Sequence, residues 1–124
     1  MEGKKFDNGK APWDLLPFDA VEQIVRVLEF GAGKYGAYNW SKGMDHSRLF
    51  AAAMRHLTAH WRGENADPET GLSHLAHAGC CLLFLIAYQL RGDGHDDRPR
   101  IITQDAEETL RHIRQVNSGR IPIK

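Results

Sequence analysis

The fold is decided by residues 72–88, which read LSHLAHAGCCLLFLIAY. The C-terminal half of this stretch is apolar nearly all round, which is typical of the central helix of a bundle. His77 interrupts the apolar run, and the run is shorter than the roughly 20 residues that a membrane span needs. We therefore expect a buried helix that begins near Leu72 or Ser73 and is broken by the Arg-Gly-Asp-Gly segment 91–94.

Three more helices are predicted around this one. The first opens at Phe18 and is ended by Gly31 and Gly33, and its apolar positions are Val21, Ile24, Val25 and Leu28. The second is capped by Asp45 or Ser47 and stops at Gly63, and a weaker fourth helix is ended by Ser118 and Gly119. The prediction is an all-α, antiparallel four-helix bundle in a single domain 1–124, with an extended lead-in 1–17 and a tail 119–124.

The composition excludes several classes of protein. Sixteen Lys and Arg balance sixteen Asp and Glu, whereas nucleic-acid coats and membrane-surface binders need a cationic excess. No apolar segment follows the N-terminal lysines, so no signal peptide is expected. The two cysteines are adjacent in an apolar run and are typical of a reduced protein. We expect a cytoplasmic protein with no nucleic-acid or membrane partner.

The predicted core is thin. The fourth helix is weakly apolar, and a domain of 124 residues is marginal without a larger core. We therefore expect a homo-oligomer, a dimer or a tetramer.

Four of the seven histidines fall close together. His56 and His60 lie one turn apart on the second helix, and His74 and His77 lie one turn apart on the third. Because a short link makes the two helices antiparallel neighbours, His56 or His60 can face His77. Three carboxylates lie in the link between these two helices, at the end of the bundle that we call the mouth: Glu64, Asp67 and Glu69. Imidazoles and carboxylates that converge in this way can bind a divalent ion. Mg²⁺ would depend on the carboxylates, whereas Mn²⁺ also accepts imidazole.

The first helix can add acidic groups. If helices one and two are antiparallel, Asp19 and Glu22 approach the mouth, and residues 34–40 lie at the far end. A ligand could then touch both regions only if the loop folds back or a neighbouring subunit supplies it. Each of these residues also has an ordinary alternative: the histidines as hydrogen-bonded core residues, and the acids as helix N-terminal groups.

Other side chains are suited to a nucleotide. Lys34 and Arg55 are candidate phosphate contacts. Flat rings and an amide can hold a nucleobase, although such residues also serve as packing lids: Trp13, Tyr35, Tyr38, Asn39 and Trp40.

Several segments together resemble a phage-associated family, the dATP/dGTP diphosphohydrolases, which includes the MazZ-type (d)GTP diphosphohydrolases. The resemblance covers about residues 10–88, and its motifs occur in the order Lys10–Pro17, Phe30–Gly36, Asn39–Trp40, Arg55–His56, Arg62–Glu64, Asp67–Gly71 and His74–His77.

This family is similar to the MazG-like all-α nucleotide pyrophosphatases. The resemblance implies a helical oligomer that uses Mg²⁺ or Mn²⁺ to convert a nucleoside triphosphate to its monophosphate, in phage 2-aminoadenine metabolism for MazZ-type members. The wider superfamily carries Glu-x-x-Glu and Glu-x-x-Asp, and here Ala52, Arg55, His74 and His77 stand at those positions. The metal ligands must therefore be assigned from the residues present.

The resulting hypothesis is a metal-dependent diphosphohydrolase that acts on dGTP or GTP and other purine nucleoside triphosphates, located in the host cytoplasm if a phage encodes it. Glu22 or Glu64 would orient the attacking water. The predicted metal ligands are Glu22, His56, Glu64, Asp67, His74 and His77, and the predicted substrate contacts are Lys34, Arg55, Trp13, Tyr35, Asn39 and Trp40.

Three alternatives remain open at this point. An HD-type phosphohydrolase is suggested by the pair His95-Asp96. A nucleotide or metal sensor would bind the same ligands without turnover. A structural phage module would use its histidines only as core residues.

Overall fold

The computed structural model describes residues 2–99 and 104–119. These residues form four α-helices and two short 3-10 helices, and no β-strand; within these ranges the only β pairings are isolated bridges. The prediction of an all-α fold is therefore confirmed for the residues that the structure describes. The helices are α1 (Phe18–Tyr35), α2 (His46–Trp61), α3 (His74–Arg91) and α4 (Gln104–Asn117), and the 3-10 helices are Trp13–Leu15 and Asn39–Lys42.

The described residues divide into two compact units. One contains residues 17–99 with α1, α2 and α3, and every residue of the site described below. The other contains the lead-in before Pro17 together with α4. The predicted tail beyond Gly119 lies outside the described residues.

Helix α3 is the centre of its unit, as predicted, because it packs against both α1 and α2. Its contact with α1 is close at Gly79, where a Cβ atom would come within 2.9 Å of Ile24 Cδ1. The buried cluster between these helices is Val27, Ala76 and Cys80, flanked by Ile24, Leu28, Leu72 and Phe84. Burial of a side chain such as Val27 contributes roughly 1.5–3 kcal/mol, so this cluster helps to hold α3 against α1.

Two helix ends differ from the prediction. Helix α1 passes through Gly31 and Gly33 and continues to Tyr35, where Gly36 adopts a φ of 94°. A glycine costs a helix only about 1 kcal/mol, which the packing of α1 on α3 outweighs. At the start of α2 the Asp45 side chain makes no cap bond, and Asp97 instead accepts the Ser47 N–H at 2.9 Å.

The predicted direction of α1 is wrong. Lys34, at the end of α1, donates to Glu69 at 2.8 Å in the loop before α3, and Ile24 contacts Gly79 further along α3. Helix α1 therefore runs antiparallel to α3 and in the same direction as α2. The connection 36–45 returns along α3, where the Trp40 ring stacks on the Phe84 ring with a distance of 5.6 Å between the ring centroids.

In this arrangement, the end of α1 that lies at the mouth is the opposite of the one expected. The end of α1, with Lys34, lies beside the loop that joins α2 to α3. The start of α1, with Asp19 and Glu22, is directed away from it. None of the described helices is both long and apolar enough to cross a membrane.

Candidate metal centre

His74 is the buried anchor of the site. It is the first residue of α3, directly after the N-cap Ser73, whose hydroxyl oxygen accepts the Leu75 N–H, and only 4% of its surface is exposed. Its Nε2 lies 2.8 Å from Glu64 Oε1, so the ring N–H donates to this carboxylate. That bond leaves the lone pair on Nδ1, as in the carboxylate–histidine pairs that orient metal ligands.

His56 on α2 faces this lone pair. The two Nδ1 atoms of His56 and His74 are 2.9 Å apart, and the His56 ring stacks on His77 with a centroid distance of 4.6 Å. Burial, followed by the neighbouring His77, lowers the pKa of His56 below its ordinary value of 6.5. His56 is therefore neutral at physiological pH, and its Nδ1–H donates to the His74 Nδ1 lone pair. A cation bound between the two rings would take the place of this proton, which the other nitrogen of His56 can carry.

Asp67 is held in place by the loop before α3. Its Oδ1 accepts the N–H groups of Glu69 at 2.9 Å and Thr70 at 3.2 Å, the local turn typical of Asp. Burial pushes the pKa of Asp67 upward, but these two backbone N–H groups and the facing His77 and His56 outweigh it, and the pKa is lowered. The other oxygen, Oδ2, lies 3.9 Å from His56 Nδ1.

These three residues form one group, which we call the histidine site: His56, Asp67 and His74. One donor atom from each lies within 4.8 Å of the others. Donor atoms that are neighbours around an octahedral ion with bonds of ~2.1 Å lie about 3 Å apart, close to the 2.9 Å between the two Nδ1 atoms. Two imidazoles and one carboxylate fit a divalent ion and favour Mn²⁺ or a similar transition ion over Mg²⁺.

His77, a predicted ligand, is not a member of this group. Its Nε2 contacts the Thr70 hydroxyl oxygen at 2.7 Å, and the same oxygen accepts the Leu72 N–H. Burial, more than any neighbouring charge, lowers the pKa of His77, so a neutral ring stacks on His56. Sequence reasoning missed Thr70 as a positioning residue; the signal was its place three residues after Asp67, inside the turn that this Asp organises.

Lys34 closes one side of the mouth. Its ammonium donates to Glu69 at 2.8 Å and lies 5.3 Å from the centre of the Tyr35 ring. The hydrogen bonds to Glu69 and Tyr35 raise the pKa of Lys34. The expectation that Lys34 lies at the far end of the first helix from the acidic loop is therefore wrong.

Arg55 projects from the exposed face of α2. It lines a shallow hollow of about 290 Å³ together with Met54, Thr58, Ala59 and Arg62. Among the described residues, neither Arg55 nor Arg62 forms an ion pair, and both lie on the exposed side of the hollow.

A family described as dATP/dGTP diphosphohydrolase, N-terminal, matches residues 1–98. The chain belongs to this family. It is also 41% identical over 98 residues to a protein named dATP/dGTP diphosphohydrolase from Salmonella phage PMBT28, an alignment that covers 79% of this chain. The matched part spans about a third of that relative, 33% of its length. No solved structure matches the chain.

The range that matches the dATP/dGTP diphosphohydrolase family contains the whole histidine site, with Glu64 and Lys34, and ends before α4. It also contains Glu22, the predicted acid from α1. The structure does not bring Glu22 to the site: its carboxylate lies 3.5 Å from Arg26 on the exposed side of α1.

The side chains predicted to contact the nucleobase lie in different parts of the chain. Trp40 stacks on Phe84, and the Arg91 guanidinium lies 5.2 Å from the Trp40 ring centre. Tyr35 is 61% exposed beside Lys34, and Asn39 begins the 3-10 helix that contains Trp40. Trp13 is exposed in the other compact unit.

The pair His95-Asp96, on which the HD-type alternative rests, lies outside the helices. His95 contacts Asp45 at 3.1 Å, and Asp96 receives the Arg98 guanidinium at 2.7 Å. Both carboxylates are thus engaged away from the histidine site.

Proposed function

We propose that this chain is a divalent-metal-dependent hydrolase that converts purine nucleoside triphosphates, dGTP and dATP first among them, to the monophosphates. The observation that carries the proposal is the histidine site inside the family-matched region. The printed name of the phage relative supports the substrate class. The sequence predicts dGTP or GTP as the substrate, so the test below includes both nucleotides.

The chain offers a cation a defined set of donors. His74 would provide its Nδ1 lone pair, and His56 would provide Nδ1 once its proton lies on the other ring nitrogen. Asp67 would provide a carboxylate oxygen that the loop holds in place. A bound divalent ion would neutralise phosphate oxygens and lower the pKa of a water molecule. We expect Mn²⁺ to support the reaction better than Mg²⁺ because two of the three donors are imidazoles.

Glu64 has two tasks in this proposal. It accepts the His74 Nε2–H at 2.8 Å and so keeps the opposite nitrogen free for the cation. Its side chain is 53% exposed, and we assign it as the group that accepts a proton from the attacking water. Glu64, rather than Glu22, is therefore the general base in this account.

Two cations are available for the phosphates. The Lys34 ammonium is held at the rim by Glu69, and a triphosphate would compete for it with a larger negative charge. Arg55 precedes His56 on α2 and has a planar fork that suits a phosphate. Tyr35, exposed beside Lys34, supplies a flat surface for the base.

The test is turnover of purified protein with dGTP, dATP, GTP and the pyrimidine triphosphates, with Mn²⁺ or Mg²⁺, followed by chromatography of the products. We expect purine monophosphates in the Mn²⁺ reactions and their loss in the His56→Gln variant. Binding of dGTP without product would favour the sensor alternative. Neither binding nor turnover, in a protein of unchanged helicity, would reject both proposals.

The cytoplasmic location and the role in phage modified-purine metabolism stay predictions. The metabolic role would gain support from a preference for dGTP over GTP, because the modified purine is made from a deoxynucleotide.

A further inference from the structure

A second group of polar residues lies on α2, outside the histidine site. The hollow of about 290 Å³ described above, which we call the α2 hollow, is lined by Met54, Arg55, Thr58, Ala59 and Arg62. Because an α-helix turns by 100° per residue, Arg55, Thr58 and Arg62 fall within an arc of about 60°. This arc lies roughly 100–160° around the helix from His56. A ligand in the α2 hollow would therefore not occupy the position of the cation.

The surface around the α2 hollow carries an excess of positive charge. Helices α2 and α3 contain no Asp or Glu, and the acidic residues that flank them lie in the connections before, between and after the two helices. Arg26 on α1 contacts two carboxylates, and Arg98 contacts Asp96. In the part of the chain that the structure describes, Arg55 and Arg62 have no such acidic partner. Two guanidinium charges are therefore left to attract an anion to α2.

The backbone near the α2 hollow does not oppose an anion strongly. The C-terminal end of a helix carries about half a negative charge, because its last carbonyl groups have no partner within the helix. At the end of α2, the backbone N–H groups of residues 62–64 donate to the carbonyl oxygens of residues 58–60 at 2.9–3.0 Å. Two full positive charges outweigh what remains of the dipole, so an anion is favoured here.

The dimensions of the α2 hollow suit a chain of phosphate groups. The Cα atoms of Arg55 and Arg62 are about 10.5 Å apart along the helix, so a phosphate chain can receive one planar fork at each end. The Thr58 hydroxyl lies between the two arginines and can donate to an oxygen in the middle of the chain. Pockets for whole small molecules occupy roughly 300–1,000 Å³. A hollow of about 290 Å³ therefore holds a phosphate chain rather than a complete nucleotide.

We propose that the α2 hollow is a second anion site, which binds the phosphate chain of a nucleoside triphosphate or of an inorganic polyphosphate. Arg55 and Arg62 hold the two ends of the chain, and the Thr58 hydroxyl contacts it between them. The two sources share this chemistry and differ in the base. Trp61 is 89% exposed and follows Thr58 by three residues, so it borders the hollow and offers a base a flat surface.

This proposal does not depend on the proposed function. The α2 hollow contains none of the residues of the histidine site, and its occupation needs neither a metal ion nor turnover. Arg55 is the one residue that the proposed function also uses. The variants that test the hollow are therefore made at Arg62.

The first test is isothermal titration calorimetry of the metal-free full chain with inorganic tripolyphosphate at low salt. We expect the wild type to bind, and the dissociation constant to rise about tenfold or more in Arg62→Gln. Arg62→Lys keeps the charge but loses the planar fork, so its affinity should be intermediate. Arg48→Gln is the matched control, because Arg48 is an exposed arginine of the same helix that does not line the hollow. Circular dichroism shows whether each variant keeps its helices.

Three results would overturn the proposal. The first is a wild type that does not bind tripolyphosphate, or that binds it no better than Arg62→Gln. The second is a loss of binding in Lys34→Gln rather than in Arg62→Gln, which would place the anion at the mouth. The third is equal weakening by Arg48→Gln and Arg62→Gln, which would indicate a longer polyanion, such as a nucleic-acid strand, spread along α2.

The second test distinguishes the two sources of the phosphate chain. The metal-free wild type and its Trp61→Ala variant are titrated with dGTP and with tripolyphosphate. Tighter binding of dGTP that Trp61→Ala reduces to the level of tripolyphosphate would assign the hollow to a nucleotide. Equal affinities in both proteins would assign it to an inorganic polyphosphate, and either result supports the phosphate-chain site. Binding of dGTP that Arg62→Gln leaves unchanged would contradict it. Because no turnover is measured, these outcomes are separate from those that test the proposed hydrolase activity.

Discussion

The two ends of the α2–α3 pair carry the same residue types and use them differently. At one end lies the histidine site, where the ring nitrogens of His56 and His74 approach to 2.9 Å. At the other end, which we call the fastened end, residues 44–47 meet residues 94–97. There the backbone pairs His46 N–H with His95 O at 2.9 Å and His95 N–H with Met44 O at 3.1 Å.

The histidines of the fastened end do not point their nitrogens at one another. The His46 ring stacks on Tyr88 at 5.8 Å, and His46 Nε2 is buried without a hydrogen-bond partner among the described residues. His95 is largely exposed beside Asp45. At the histidine site, the Glu64 carboxylate fixes the tautomer of His74 and directs its other ring nitrogen at His56. At the fastened end, a similar content of His and Asp only joins two helix ends.

The largest difference between the two ends should follow from replacing one histidine at each. His56→Gln removes a donor of the histidine site, and we expect a loss of more than ~100-fold in Mn²⁺ affinity. His46→Gln, at the fastened end, should leave that affinity within about twofold. Isothermal titration calorimetry measures both, and equal losses in the two variants would break the comparison.

A smaller effect is expected from the carboxylates that contact histidines at each end. Glu64→Gln removes the acceptor that fixes the His74 tautomer, and Mn²⁺ affinity should fall by about 10–100-fold. Asp45→Asn changes the corresponding partner of His95 and should not change metal affinity. If Glu64→Gln binds Mn²⁺ as tightly as the wild type, Glu64 does not orient the ligand.

The pH dependence of stability should sharpen the contrast. The folded chain holds His56 and His77 with pKa values below 6.5, so between those values and 6.5 the unfolded chain binds more protons. Their contribution to the free energy of unfolding is therefore complete above about pH 6.5 and is lost as pH falls through the folded pKa values. Urea unfolding at a series of pH values, with a chelator present, should show that the free energy of unfolding decreases as pH falls through this range, which defines a slope. The His56→Gln/His77→Gln variant should show a flatter one, and an unchanged slope would contradict the lowered pKa values.

The smallest effect is expected at the fastened end. Asp97 accepts the Ser47 N–H and hydroxyl at the start of α2, and these bonds lower its pKa. Asp97→Ala removes this cap, so the melting temperature should fall while Mn²⁺ affinity stays unchanged. A loss of metal affinity in this variant would mean that the two ends are coupled.

Local signals predicted much of this chain correctly. Helix α1 begins at Phe18, and α3 begins directly after Ser73, as expected. Caps and turn glycines act over a few residues, so the sequence displays them directly. The meeting of His56 with His77 across the α2–α3 link was also predicted, because the spacing of one turn and a short link determine their positions.

The direction of α1 could not be predicted in the same way. It depends on the contact of Ile24 with Gly79 and on the connection 36–45, which runs back along α3. Helical periodicity carries no information on either feature. For the same reason Lys34 was assigned to the wrong end and Glu22 to the mouth, and Asp97 was missed as the cap of a helix about fifty residues earlier in the chain.

The central claim is that His56, Asp67 and His74 together hold a divalent ion. Its most direct test is titration of the metal-free protein with Mn²⁺, in which electron paramagnetic resonance measures the free ion. The account predicts binding to the wild type that is lost in Asp67→Ala and His74→Gln variants of unchanged helicity. Wild-type protein that leaves all the Mn²⁺ free, or variants that bind it equally well, would contradict the account.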